Sequence, residues 1–476
     1  MNDCCPPNPK GNRAYDLAVI GAGSAGFSAA ITAAEQGAHV ALIGHGTIGG
    51  TCVNVGCVPS KTLIRAVETV HQATVASRFA GIHVEGGVTD WKSLISQKDE
   101  LVSRLRQAKY ADLLPAYNSI AYIEGEARLV DGGVMVNGDL LRAGRVVIAT
   151  GARPAIPPIP GIENVDYLTS TSVLALEKLP RSLLVIGGGF VGAELAQALS
   201  RAGVKVTIVC RSRLLPTAEP EIGEALSRYF REEGITLNCG AAYKLVRRSD
   251  RGVTLVVKTG DREDTLEAER LLIATGRAPN IERLGLAEAG VKQQDNGAIQ
   301  VDDRMRTTRD GVYAAGDVTG RDQFVYMAAY GAKIAAKNAL NGNALIYDRT
   351  AMPAVVFTDP QVASVGLTEA EAHAAGLQVA TSVISLDHVP RALAARDTRG
   401  LIKLVADGKS RKLVGAHILA PEGADSIQTA ALAIKAGMTV EQLGETIFPY
   451  LTTVEGLKLA ALAFNKDVAK LSCCAG

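Results

Sequence analysis

The residues most able to do chemistry are two cysteines. Cys52 and Cys57 lie in Gly49–Lys61 (GGTCVNVGCVPSK), a Gly-rich segment that places four residues between them. Pro59 follows where a helix is expected to start, a position that suits its fixed φ and missing N–H. A thiol beside a helix N-terminus meets the positive end of the dipole, so its pKa falls and thiolate becomes available near neutral pH. The alternative is a pair of buried cysteines in a turn, since free cysteine packs as a small apolar residue. Of eight cysteines, six fall in close pairs: Cys4/Cys5, Cys52/Cys57 and Cys473/Cys474. That pairing suits redox chemistry or the handling of a soft metal ion rather than a disulfide framework. Cys210 and Cys239 stand alone in the sequence and read as core residues.

The elements around the cysteines are those of nucleotide binding. Tyr15 to Ile20 (YDLAVI) reads as a buried strand running into Gly21-Ala-Gly23-Ser24-Ala25-Gly26, then an Ala-rich helix and a second strand, AHVALI. In that order the glycines allow a tight turn and the close approach of a pyrophosphate, and the helix N-terminus supplies N–H groups to it. The second strand ends at Ile43-Gly44-His45, where an acidic residue would hold a ribose hydroxyl. The unit recurs from Ser182, with Gly187, Gly189 and Gly192 at its turn and Phe190-Val191 opening its helix. Two fingerprints predict two dinucleotide sites. The second unit continues into Cys210-Arg211-Ser212-Arg213, without a carboxylate. Arg211 and Arg213 suit the 2′-phosphate of NADPH, the alternative being a solvated pair on a loop.

Further along, residues 62–114 have helical periodicity, including a long helix from about Trp91, and residues 120–141 alternate like a small antiparallel sheet. Strands end in Ala-Thr-Gly at Thr150-Gly151 and at Thr275-Gly276, and GVYAAGDVTG ends another at Gly316-Asp317. Asp317 is placed to accept from a polyol hydroxyl or to cap a helix. From about Ala351, strands and turns precede two helices, an α+β region. With 50 Lys+Arg against 49 Asp+Glu, nothing points to nucleic acid or an anionic membrane surface. No apolar run approaches a membrane span and the N-terminus lacks an apolar signal core, so a cytoplasmic protein is expected.

Residues 15–476 together resemble the flavin pyridine-nucleotide disulfide oxidoreductases: fingerprint, Cys-x4-Cys, second fingerprint, Gly-Asp motif and a final α+β domain stand in that order. The resemblance implies an α/β protein with two Rossmann-like domains and a C-terminal α+β dimerisation domain. An arm (1–13) precedes an FAD-binding domain (14–154 and 277–348), an NADPH-binding domain (155–276), an interface domain (349–470) and a Cys-Cys tail (471–476). FAD would be held by Gly21, Gly23, Ser24, Ala25, Gly26, Gly50, Thr51, Thr150, Gly151, Gly316 and Asp317. NADPH would be held by Gly187, Gly189, Phe190, Val191, Gly192, Arg211, Arg213 and Gly276. Cys57 would face the flavin, Cys52 would be the exchange thiol, and Lys61 would lie near the flavin, paired with Glu194.

Within the family, the cysteine segment and the Cys-Cys end resemble most the mercuric reductase branch. Disulfide reductases of this fold carry His-Pro-Thr-x-x-Glu, whose histidine shuttles the proton of a leaving thiol. Here the segment is FPYLTTVEG (448–456): aligning Glu455 with that glutamate puts Tyr450 at the histidine, and none of the seven histidines lies in the segment. Reduction of a thiolate-bound metal ion does not need that acid–base. The resemblance therefore implies Hg(II) as substrate, Cys52, Cys57, Cys473 and Cys474 as its ligands, and Tyr110 and Tyr450 at the metal site. The tail would serve the partner's site in a homodimer. A thioredoxin-reductase-like enzyme with a C-terminal dithiol is the alternative. Longer members carry an N-terminal metal-binding domain; here the first strand begins near residue 15, so Hg(II) capture is expected to rest on Cys473/Cys474, with Cys4/Cys5 as a further thiol pair.

Overall fold

The computed structural model describes residues 15–467 and 470. The N-terminal arm, Cys4/Cys5 and the tail with Cys473/Cys474 lie outside the described residues. The chain divides into two compact units. One contains 15–60, 96–155 and 277–348; the other contains 61–95, 156–276 and 349–467. This division joins 61–95 to the second fingerprint region and groups that region with the C-terminal one.

In the first unit, Tyr15–Ile20 runs parallel to Val40–Gly44 on one side and to Asp139–Ile148 on the other. The register aligns Ile20 with both Ile43 and Ile148, all buried, as expected of a parallel sheet covered on both faces. Ile120–Glu124 extends this sheet as a parallel edge strand against Val40–Gly44. The expectation of an antiparallel sheet from residue 120 is thus corrected: only Ala127–Val130, Gly133–Val136 and Asp139–Ile148 pair antiparallel. Alternation alone does not tell the two pairings apart. Val312–Ala314 adds parallel to Asp139–Ile148, bringing the Gly316-Asp317 motif to the carboxyl end of the sheet. Binding crevices of open α/β sheets lie at that end. The helix Ser24–Ala34 packs on Val325–Asn341 through small residues, with the Ser28 hydroxyl donating to the Ala329 carbonyl at 2.9 Å.

The second unit holds a parallel sheet ordered Thr236–Cys239, Lys205–Cys210, Ser182–Ile186, Arg270–Ile273, Tyr167–Thr169. A three-stranded antiparallel sheet follows (Ala242–Ser249, Gly252–Thr259, Arg262–Ala268). The C-terminal region is a five-stranded antiparallel sheet from Pro353–Val356 to Val379–Ser385, with helices Gly423–Lys435 and Glu455–Leu462 packed on it. One cation is locked inside this unit. Lys403, 2% exposed, meets Glu219 at 3.0 Å, Glu221 at 2.9 Å and Glu369 at 2.7 Å. No helix among the described residues is long and apolar enough to cross a membrane.

Candidate active site

The cysteine segment is tied by backbone to the first fingerprint. Gly49 N–H donates to the Ala22 carbonyl at 2.8 Å, and Gly49 bridges to Gly23. The approach admits no side chain at Gly50 (φ +66°), where a Cβ would stand 2.7 Å from the Gly23 Cα. Beyond this contact the chain forms the short helix Gly50–Val55, breaks at Gly56, and starts the helix Cys57–Thr74. That helix begins two residues ahead of Pro59, which costs nothing because the first four N–H groups of a helix have no internal acceptor. Cys57 is therefore the first residue of an 18-residue helix and exposed, while Cys52 is half-buried on the preceding short helix. Asn54 braces the turn by donating to the Ile48 and Gly50 carbonyls, and Arg106 donates to Asn54 Oδ1 at 3.2 Å.

Tyr110 closes this arrangement. Its hydroxyl lies 3.0 Å from Ser24 Oγ at the fingerprint helix, and its ring meets Phe27 edge-on at 4.9 Å. Burial raises the Tyr110 pKa, the Ser24 hydrogen bond opposes this, and negative charge on Cys52 and Cys57 raises it further. Tyr110 is thus a neutral phenol within electrostatic reach of both thiols. Sequence reasoning did not find Tyr326, whose pKa is raised by burial, Asp322 and Cys57. Its only signal was an aromatic residue opening the helix Val325–Asn341.

Both fingerprints have the same cradle. Gly21 and Gly187 have φ of +116° and +118°, and a Cβ on Gly26 or Gly192 would fall 1.7 or 2.2 Å from the carbonyl oxygen of its own first glycine. No side chain caps the helix that follows Gly23 or Gly189, so first-turn N–H groups remain for an anion. Ser24 and Ala25 open the first of these helices, and Phe190 and Val191 open the second. These cradles fit dinucleotide pyrophosphates. Gly44 has its own steric reason: a Cβ there would lie 2.5 Å from the Tyr122 hydroxyl, so this sheet edge has no room for a ribose-binding carboxylate.

The end of the first Ala-Thr-Gly strand is tied to Asn280. The Thr150 hydroxyl donates to the Asn280 carbonyl at 2.7 Å and Asn280 Nδ2 returns to the Thr150 carbonyl at 2.9 Å. Gly151 and Gly276 precede the antiparallel pair Ala152–Pro154 and Arg277–Pro279. Asp317 opens a short 3₁₀ turn, with Gly316 at its N-cap position. Its carboxylate sits 3.3 Å from Arg277 Nε; burial raises its pKa and Arg277 opposes the shift. Arg277, which also reaches Thr51 Oγ1 at 3.4 Å, was missed, although its place directly after Thr275-Gly276 was a usable signal.

In the second unit, Lys61 Nζ meets Glu194 Oε2 at 2.6 Å, Glu194 being 7% exposed, and lies 5.0 Å above the Phe357 ring. The other Glu194 oxygen accepts the Phe357 N–H at 2.8 Å, so the carboxylate is held at both oxygens. The two arginines after Lys205–Cys210 part company. Arg213 donates to the Pro216, Ala218 and Glu219 carbonyls and braces the loop, whereas Arg211 is exposed at the strand end. The reading of Cys210 and Cys239 as separate core residues is corrected. They are register partners on parallel strands, with sulfurs 2.8 Å apart. Strand pairing, invisible in a gap of 28 residues, brings them together.

At the C-terminal region, Tyr450 is 47% exposed. Glu455, 7% exposed, accepts the Leu451 N–H at 3.2 Å, and burial raises its pKa. The carboxylate that would orient a histidine is here spent on backbone. Among the described residues, no group of three or more His, Cys, Asp and Glu side chains is arranged to hold a metal ion.

Comparison with known proteins gives a consistent result. Residues 15–336 match the family described as pyridine nucleotide-disulphide oxidoreductase, and 352–461 match its dimerisation domain. The chain is 49% identical over 464 residues to a mercuric reductase of Lysinibacillus sphaericus, covering 97% of this chain and 85% of that one. A mercuric reductase of Streptomyces lividans is 47% identical over 471 residues, covering 97% and 98%. Among solved structures, the HOCl-induced flavoprotein disulfide reductase RclA of Escherichia coli, as its Cu(II) complex, superposes with a TM-score of 0.83 at 30% identity, covering 94% of this chain and 99% of that one.

Proposed function

The chain belongs to the pyridine nucleotide-disulphide oxidoreductases, and from that membership we propose that it is an NADPH-dependent FAD enzyme reducing Hg(II): Hg(II) + NADPH → Hg(0) + NADP⁺ + H⁺. The observation that carries the choice of substrate is the segment 448–456, where Glu455 holds a backbone N–H and no histidine is available as a thiol acid–base. Bound FAD supplies the chemistry of accepting a hydride and passing on an electron pair. Cys57, at its helix N-terminus, is stabilised as thiolate and with Cys52 takes Hg(II) as a two-thiolate complex. Tyr110, neutral and close to both sulfurs, excludes water and offers its oxygen during ligand exchange. Lys61, one turn beyond Cys57 on the same helix, keeps a positive charge fixed by Glu194. Asp317 and Arg277 form a pair able to hold a flavin polyol.

Hg(II) is delivered by Cys473/Cys474 of a second copy. The matched dimerisation domain exposes apolar side chains that a partner subunit would cover, among them Leu432 at 60% and Ile447 at 95%. The reaction draws on the cytoplasmic NADPH pool. The double variant Cys473→Ala/Cys474→Ala is expected to lose most turnover of thiol-complexed Hg(II) while NADPH still reduces the flavin; equal turnover with and without the pair removes the delivery role. Arg211→Ala is expected to raise the KM for NADPH about tenfold and that for NADH little, as loss of one charged contact worth about 1.5 kcal/mol implies. Arg213→Ala should instead lower thermal stability with little coenzyme preference, its partners being loop carbonyls. The substrate is tested with oxidised glutathione, thioredoxin and dihydrolipoamide with NAD⁺. Silence on all three is expected, and brisk turnover of any one would favour the disulfide-reductase alternative.

A further inference from the structure

The sulfurs of Cys210 and Cys239 meet at the carboxyl end of the second parallel sheet, beside the turn of the second fingerprint. Cys210, buried, donates its S–H to Cys239, which is half-buried. That hydrogen bond, with the charge of Arg231, brings the Cys239 pKa down to about 7, while the same bond and burial push Cys210 up. Of the two, Cys239 gives up its proton more readily and Cys210 keeps its own. Behind it, a Cβ on Gly188 of the Gly187–Gly192 turn would stand 3.2 Å from Cys210 Sγ. Gly188 in turn accepts the Leu215 N–H at 2.7 Å, and Gly240 N–H donates to Ser212 at 2.8 Å. The dithiol, the nucleotide turn and the loop bearing Arg211 are thus one connected patch.

We propose that Cys210 and Cys239 form a second thiophilic-metal site, apart from Cys52/Cys57, that takes a two-coordinate soft cation such as Hg(II) and weakens NADPH binding when filled. The step is Cys–SH + Cys–S⁻ + Hg(II) → (Cys–S)₂Hg + H⁺: two sulfur–metal bonds form, the Cys210 proton leaves to solvent, and nothing is oxidised or reduced. Soft thiolates are the matching ligands for such an ion, and the site needs no third donor. Linear coordination spreads the sulfurs to about twice a metal–thiolate bond of roughly 2.3 Å, well beyond 2.8 Å. Cys239 is the less buried of the two; Cys210 is held against Gly188, so part of the displacement falls on the nucleotide turn. Metal and NADPH then oppose one another, and by linkage each weakens the other equally. The inference goes beyond the proposed activity: it concerns binding, and a chain that reduced no Hg(II) would still show it.

The test uses full-length, flavin-loaded protein in which Cys4, Cys5, Cys52, Cys57, Cys473 and Cys474 are all replaced by serine. Mercuric chloride in a modest excess of a monothiol is added, the protein is desalted, and bound mercury is counted. One Hg(II) per chain is expected, with NADPH affinity, titrated by nucleotide fluorescence, about tenfold weaker. Adding Cys210→Ala and Cys239→Ala should abolish both effects, and so should Cys239→Ser alone, which keeps the shape of the site and guards against misfolding. No retained mercury, mercury retained equally without the pair, or unchanged NADPH affinity in the filled protein would each overturn the proposal. So would a pair found closed as a disulfide that the monothiol does not open.

Discussion

Cys57→Ser is expected to give a folded, yellow protein with no Hg(II)-dependent NADPH oxidation, a loss of at least about a thousandfold, and Cys52→Ser the same. A serine hydroxyl does not ionise near neutral pH, even at the start of an 18-residue helix, and its hard oxygen is a poor ligand for a soft cation. A single remaining thiol holds Hg(II) no better than the small thiols in solution do. The two variants should still let NADPH bleach the flavin, because the fingerprint turns do not depend on either sulfur. Rates near wild type in either variant would move the chemistry away from this pair. Loss of flavin bleaching would instead point to a damaged cofactor site.

Lys403→Met is expected to cost about 3–5 kcal/mol of stability, the range for leaving a buried charge without its partner. Burial alone would depress the Lys403 pKa, but hydrogen bonds to Glu369, Glu221 and Glu219 outweigh it and hold the ammonium well above its usual value. Without that ammonium, Glu219 stays 2% exposed with the Glu369 N–H at 2.6 Å as a remaining donor. The more exposed partners behave differently. Glu221 and Glu369, 42% and 39% exposed, are expected to cost under about 1 kcal/mol each when changed to glutamine. Denaturant midpoints with unchanged slope measure both. A shift for Lys403→Met no larger than that of the glutamine variants would mean that water reaches Glu219 readily.

The sequence was most readable where one local rule fixes the backbone. Gly21 and Gly26, like Gly187 and Gly192, are required by a turn that each fingerprint states in full, and the Cys52–Cys57 spacing lies within one short segment. The pairing of Lys61 with Glu194, 133 residues apart, came from resemblance and not from spacing. Features made by pairing distant strands escaped. Cys210 meets Cys239 only through the parallel register, and Ile120–Glu124 joined the parallel sheet because its partner was Val40–Gly44. Arg213 shows a different limit. Charge and position suited a phosphate, and the structure shows its guanidinium donating to nearby loop carbonyls. Asp317 likewise pairs with Arg277, a partner 40 residues earlier in the chain.

The central claim is most directly tested by following NADPH oxidation by the purified flavoprotein in excess small thiol, with and without Hg(II), while collecting mercury vapour. Oxidation is expected to depend on Hg(II) and to release one Hg(0) for each NADPH consumed. NADPH oxidation unaffected by Hg(II), or consumed without mercury vapour, would contradict it.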